Sequence, residues 1–182
     1  MSRPKSDTRT RIQDVARELF WRQGVHRTSL QDIADELGIT KPALYYHFAS
    51  REDLVRSTLV PLIEEGERFV ADQESLGDTD SRALLEGYFD FLYGRRQDLM
   101  LVLSEPTMLA DLGLVDNVLA WRDRLGKLLF GPRPTLAQAT RAAVAFGGLH
   151  DCCVQFPDAP YEELRACSVE AALGALGESP PR

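Results

Sequence analysis

Cysteine is scarce in this chain: three residues in 182, with Cys152 and Cys153 adjacent and Cys167 shortly after them. An odd number without CxxC spacing argues against a disulfide framework and suits reduced thiols. Long apolar runs are missing as well. No segment approaches the roughly 18 apolar residues that a membrane span requires. The opening "MSRPKSDTRTR" has no apolar stretch behind its positive charges. The expectation is a cytoplasmic protein with no membrane partner. Period-two alternation between turn dipeptides is absent, which argues against a sheet. Positive charge is not in overall excess either: 28 acidic residues face 21 basic ones for a net charge of −7. That excludes an indiscriminate nucleic-acid coat. No nucleophile elbow, phosphate loop or metal-ligand spacing occurs, so neither an enzyme nor a cofactor is expected.

What is present is helical periodicity and an uneven distribution of charge. Residues 1–56 hold ten Lys and Arg against eight Asp and Glu; the remainder holds eleven against twenty. A mildly basic end is joined to an acidic body, and 44% hydrophobic residues are enough to give the chain a core.

Ile12, Val15, Ala16, Leu19 and Phe20 follow the i, i+3, i+4, i+7, i+8 rule up to a stop at Gly24. In "TSLQDIADELG", Ser29 is placed to cap a second helix with Asp32 at N3, and Gly38 ends it. Thr40 caps a third helix running to Phe48, with Pro42 in the tolerated first turn. Ser50 caps the next, whose interior Pro61 predicts a kink or local unwinding. "RALLEGYFDFLYGRRQDLMLVL" is apolar around most of its circumference and reads as buried. Pro106, Gly113 and "GPRP" divide the following stretch, and "PDAP" separates two last helices. The fold class expected is all-α with about nine helices, divided into an N-terminal domain over residues 1–52 and a helical body over 53–182.

Two short helices joined by a tight turn, with a longer helix before them, make a helix-turn-helix. Ile33, Ala34, Leu37, Ile39 and Leu44 would hold the pair together, with Leu44 and Phe48 on the core face of the third helix. That leaves Lys41, Pro42, Ala43, Tyr45, Tyr46 and His47 on its other faces. Lysine suits a phosphate, Tyr and His donate hydrogen bonds to phosphates or base acceptors, and Pro and Ala offer apolar contact to a thymine methyl. Ser29 and Thr40 lie at helix N-termini, where exposed N–H groups attract phosphate, and Arg51 opens the next helix as a further phosphate contact. The alternative for the tyrosines is packing of head against body. The basic tail is either a minor-groove arm or a solubilising end.

"TSLQDIADELGITKPALYYHFASREDL" resembles the helix-turn-helix of the tetracycline-repressor (TetR-like) family. The resemblance rests on Thr28, Ile33-Ala34, Gly38, Leu44-Tyr45-Tyr46-His47-Phe48 and Asp53-Leu54, and with the first helix it covers about residues 8–56. It implies a homodimer on a near-palindromic double-stranded operator, the third helix of each subunit in a major groove, and a helical body that senses a small molecule. Carried over by position, Thr28 and Ser29 would touch phosphates. Lys41, Pro42, Ala43, Tyr45 and His47 would meet bases or phosphates, and Tyr46 and Arg51 would brace the backbone. The function so implied is a ligand-responsive transcriptional regulator, a repressor released from its operator by an apolar or aromatic effector.

The last two helices are rich in Ala, Gly and Cys, which allows close helix approach; they are the candidate dimer interface, with core packing within one subunit as the alternative. Tyr88, Phe91, Met100, Met108, Trp121, Phe146 and His150 are the candidate lining of an effector pocket in the body. "HDCC" at 150–153 invites a metal or redox reading, but neighbours on a helix point about 100° apart, so no metal is expected. The rival readings are a helical enzyme using His150, Asp151 and Cys152, and a protein-interaction module that does not bind DNA.

Overall fold

Capping chemistry and apolar periodicity turn most of the described residues into helices. The structure, a computed structural model, describes residues 5–77, 79–99 and 113–178. Met100 and Met108, and with them Pro106, lie outside the described residues. Eight α-helices are described from end to end: α1 Lys5–Gln23, α2 Leu30–Leu37, α3 Lys41–Tyr45, α4 Arg51–Leu76, α5 Ser81–Gly94, α6 Leu114–Phe130, α7 Leu136–Gln155 and α8 Tyr161–Leu176. A 3-10 turn, Val25–Arg27, links α1 to α2, and residues 96–99 are helical after a turn at Arg95. No strand occurs among the described residues.

The caps act where the sequence puts them. Ser29 Oγ accepts from the Asp32 N–H at 3.1 Å while Asp32 Oδ2 accepts from the Ser29 N–H at 2.8 Å. Thr135 and Gln138 make the same reciprocal box at the start of α7. Gly38 ends α2 with φ 66°, a left-handed conformation that a side chain would strain. Three expectations are corrected. The first helix begins by Lys5, so much of the tail is helical. The third stops at Tyr45, well short of Phe48, because the Leu44 carbonyl accepts from both the His47 N–H (2.9 Å) and the Phe48 N–H (3.1 Å). And of the two expectations at Pro61 the local unwinding does not occur: α4 runs unbroken through it, with Leu59 and Leu62 buried on either side.

The described residues fall into two compact units, one within Met1–Leu62 and Gln97–Leu112, the other within Ile63–Arg96 and Gly113–Arg182; α4 is shared at Leu62. In the first, α1 packs on α2 and α2 on α3 around a core of Ile12, Ala16, Phe20, Ile33, Leu44, Phe48, Leu54 and their neighbours. Each large side chain so buried stabilises the unit by about 1.5–3 kcal/mol. In the second, α5 packs on α7 and α8, α7 on α8, and α6 on α7. Its helices are clamped at the surface by Arg165 to Asp90 and Glu86, Arg124 to Glu67 and Glu74, and Arg82 to Glu170.

Candidate nucleic-acid interface

Leu44 and Phe48, both fully buried, fix which way α3 faces. Lys41, Pro42 and Ala43 are therefore exposed, and with them Tyr45 (47%) and Tyr46 (70%). His47 is half-buried in the turn after the helix, edge-on to Tyr46 with ring centroids 5.4 Å apart. The His47 carbonyl accepts from Arg9 Nη1 at 2.7 Å, and the same guanidinium lies over the Phe48 ring at 4.2 Å. Arg9 thus braces the end of α3 from α1, whereas the sequence left it in a free tail.

Beside α3 lies a concavity of about 440 Å³ whose walls include His26, Arg27, Ser29, Lys41, Tyr45, Ser50 and Arg51, with Glu52 as the one acid, 3.8 Å from Arg51. The N-termini of α2 and α4 border it through Ser29 and Ser50, so helix-dipole charge adds to the cationic side chains there. Hydrogen bonds from Ser29 hold the Asp32 carboxyl below the usual carboxylate range, so it stays ionised at the start of α2. Arg51 Nη1 donates to the Val25 carbonyl at 3.1 Å, tying the start of α4 to the 3-10 turn.

Thr28 also borders the concavity, but with its hydroxyl turned inward. It is buried, and its hydroxyl donates to the Gly24 carbonyl (2.9 Å) while accepting from Gln23 Nε2 (3.2 Å). Its side chain closes the α1–α2 turn; Ser29, exposed beside it, is the one that faces solvent. The 3-10 turn that buries Thr28 has too short a pattern to be read from sequence.

Four of the expected effector residues come together in the second unit as a ring cluster. Tyr88 meets Phe146 edge-on at 5.1 Å, Phe91 meets Trp121 edge-on at 6.5 Å, and Tyr88 and Phe91 lie tilted at 6.4 Å. Phe69, which the sequence reading missed because it sits on α4, stacks on Phe91 at 5.9 Å. Trp121 fits because α4 carries Gly66 against it, and its Nε1 donates to Glu67 at 3.0 Å. His150 is half-buried, with Nδ1 3.2 Å from Asp151 Oδ1. Burial pushes the Cys153 thiol up to about 12, leaving it a poor nucleophile. No three His, Cys, Asp or Glu side chains are grouped to hold a metal ion among the described residues. No described helix is long and apolar enough to cross a membrane.

A short exposed helix, held across a tight turn by a second and backed by a third, with a cationic concavity beside it, defines a helix-turn-helix domain. Residues 12–58 match the domain described as "Bacterial regulatory proteins, tetR family", so over that stretch the chain is similar to the N-terminal domain of that family. The regulator TtgR of Pseudomonas putida is 36% identical over 74 residues, 41% of this chain and 35% of TtgR. The transcriptional activator FasR of Mycolicibacterium smegmatis is 30% identical over 115 residues, 59% of this chain and 52% of FasR. The chain thus spans about a third to a half of the length of these curated relatives. A transcriptional regulator of Aquifex aeolicus shares the fold with a TM-score of 0.73 at 19% identity, covering 90% of this chain and 96% of that one.

Proposed function

We propose that this protein is a cytoplasmic, non-enzymatic, ligand-responsive transcriptional regulator, a repressor that binds a palindromic operator as a homodimer. The observation that carries the reading is the pairing of the exposed α3 face, Lys41 to Tyr46, with a cationic concavity bordered by two helix N-termini. Lys41, Ser29, Arg51 and the α2 and α4 N-termini take phosphates, fixing register; Pro42, Ala43, Tyr45 and His47 meet base edges and sugars. Thr40 caps α3 through the Ala43 N–H at 3.3 Å, and Tyr46 braces the far strand. The acidic remainder of the chain disfavours other docking orientations.

The division of labour follows the one read from sequence: residues 1–52 bind DNA, and 53–182 bind the effector and the second subunit. Dimerisation through α7 and α8 is supported by a groove between them lined by Val144, Gly148, Cys152, Ala171 and Ala175, with Val144 59% exposed. Ser168 Oγ is buried beside that groove without a hydrogen-bond partner among the described residues. The aromatic cluster around Tyr88, Phe91, Trp121 and Phe146 supplies the apolar wall for an effector. The effector acts only through its differential affinity for the DNA-competent and released states, with Pro61 in α4 as pivot.

Gel-shift titration against the promoter beside the protein's own coding region, over a range of salt, tests the proposal. Salt-sensitive binding as a dimer is expected. No binding to any such DNA, or full retention by the Lys41→Ala, Tyr45→Ala double variant, would overturn it. Reporter transcription with and without the protein reads the sign of regulation. Effector release that is unchanged in Pro61→Ala removes the pivot.

A further inference from the structure

Four arginines of the second unit, Arg82, Arg95, Arg124 and Arg165, are matched to carboxylates. Arg122 is not. It shares α6 with Arg124 and is likewise half-buried, but among the described residues no carboxylate lies within ion-pair distance of it. Its Nε is buried with no hydrogen-bond acceptor. A buried guanidinium donor without an acceptor is costly in a folded protein, although acidic side chains are plentiful on the same helices.

The surroundings of Arg122 leave room for a missing partner. The residue lines a cavity of about 240 Å³ between α6 and α7, walled by Leu119, Gly126, Pro134, Ala139, Ala142 and Ala143. Small residues let α6 and α7 approach closely beside it: a Cβ on Gly126 would stand 3.3 Å from the Ala142 Cβ, and one on Gly147 would stand 3.7 Å from Arg122 Nη1. The one acid in the wall, Asp123, has its charge taken by Lys127 Nζ at 2.6 Å. On its other side the guanidinium faces the Tyr88 phenol, which burial keeps protonated against the pull of Arg122. A fixed planar cation, a neutral phenol and apolar walls match a carboxylate head on a small apolar body.

We infer that the cavity between α6 and α7 is a binding site for a small apolar carboxylate, with Arg122 as the residue that receives its head. The inference deepens the effector reading above and rests on it for its regulatory consequence, though not for binding itself.

Calorimetric titration of the full chain without DNA tests it, using octanoate and benzoate as probes and octanamide and benzamide as their neutral counterparts. At least one carboxylate should bind about tenfold or more tightly than its amide. Arg122→Met should bring that carboxylate down to the level of the amide, and Arg122→Lys, which keeps the charge and loses the planar fork, should fall between. Acid and amide binding alike, carboxylate binding undiminished in Arg122→Met, or no heat from either carboxylate at millimolar concentration would each overturn it. If Arg122→Met fails to fold, Ala143→Phe at an exposed point of the cavity wall takes its place, and undiminished carboxylate binding there overturns the site. Adding the same probes to the protein–DNA complex separates the two claims. Arg122-dependent binding that leaves DNA retention unchanged sinks the effector reading and spares the site. DNA retention by a protein that binds no carboxylate does the reverse.

Discussion

Arg17 Nε donates to Asp98 Oδ1 at 2.7 Å across 81 residues of sequence, and the Asp98 side chain is only 2% exposed. The pair fastens α1 to the helical turn that carries Asp98. Removing Arg17 takes a charged partner away from a carboxylate that is almost wholly buried. Arg17→Met should therefore lower the unfolding free energy by about 3 kcal/mol, while Arg17→Met with Asp98→Leu should recover much of the loss. Urea unfolding at neutral pH measures both. A single-variant loss below about 0.5 kcal/mol would mean that the pair behaves like an ordinary surface bridge.

Lys41 and Tyr45 should separate in a salt titration of operator binding. Lys41→Ala should weaken binding to all sequences and reduce the log–log salt slope by about 1, the signature of one phosphate contact. Tyr45→Ala should leave the slope nearly unchanged while altering the ranking of operator variants. Equal slopes for the wild type and Lys41→Ala would remove Lys41 from the phosphate set.

Thr28 should matter to folding and not to charge. Thr28→Val keeps the shape but strips the Gly24 carbonyl of its donor, at a cost of about 1–2 kcal/mol. The salt slope of DNA binding should be that of the wild type. A changed slope with unchanged melting would return Thr28 to the phosphate contacts.

Gly66 is held open by Trp121. A Cβ there would lie 2.4 Å from the indole, whose Nε1 is anchored on Glu67, so the ring cannot simply swing aside. Gly66→Ala should destabilise by about 2 kcal/mol even though alanine favours a helix by about 1. Thermal melting and tryptophan fluorescence report it. A stabilised variant would show that the ring has room to retreat.

Acid should loosen the second unit through Glu67 and Glu74. Hydrogen bonds from Arg124 hold both carboxyls below their ordinary 4.5, with Trp121 adding to the effect at Glu67. Because the folded values are depressed, the unfolded chain binds more protons near pH 4.5. The stabilisation is therefore complete above that value and is lost as pH falls through the lowered folded values. Glu67→Gln with Glu74→Gln should flatten the dependence of melting temperature on pH below about 5. A profile parallel to the wild type would mean that solvent screens these pairs.

Much of the helix-turn-helix could be read directly because its signals are local. Ser29 with Asp32, Thr40, Pro42 and Gly38 each satisfy or release backbone groups within a few residues, so they mark helix ends before any tertiary contact forms. Leu44 and Phe48, four apart, fixed the face of α3 correctly even though the helix itself stops sooner. Local signals misled where a distant group intervenes. Arg9 looked free until the end of α3 came within its reach, and Thr28 looked exposed until the 3-10 turn folded the Gly24 carbonyl onto it.

In the body the sequence determined that helices form and that aromatic residues gather in the middle ones, since periodicity and hydrophobicity act along the chain. It could not say that Gly66 makes way for Trp121, that Phe69 joins the rings from α4, or that Arg124 finds two glutamates while Arg122 finds no carboxylate among the described residues. Those outcomes depend on which helix faces meet, and side chains far apart in sequence compete for the same space and the same counter-charges. Only the packed fold decides between them.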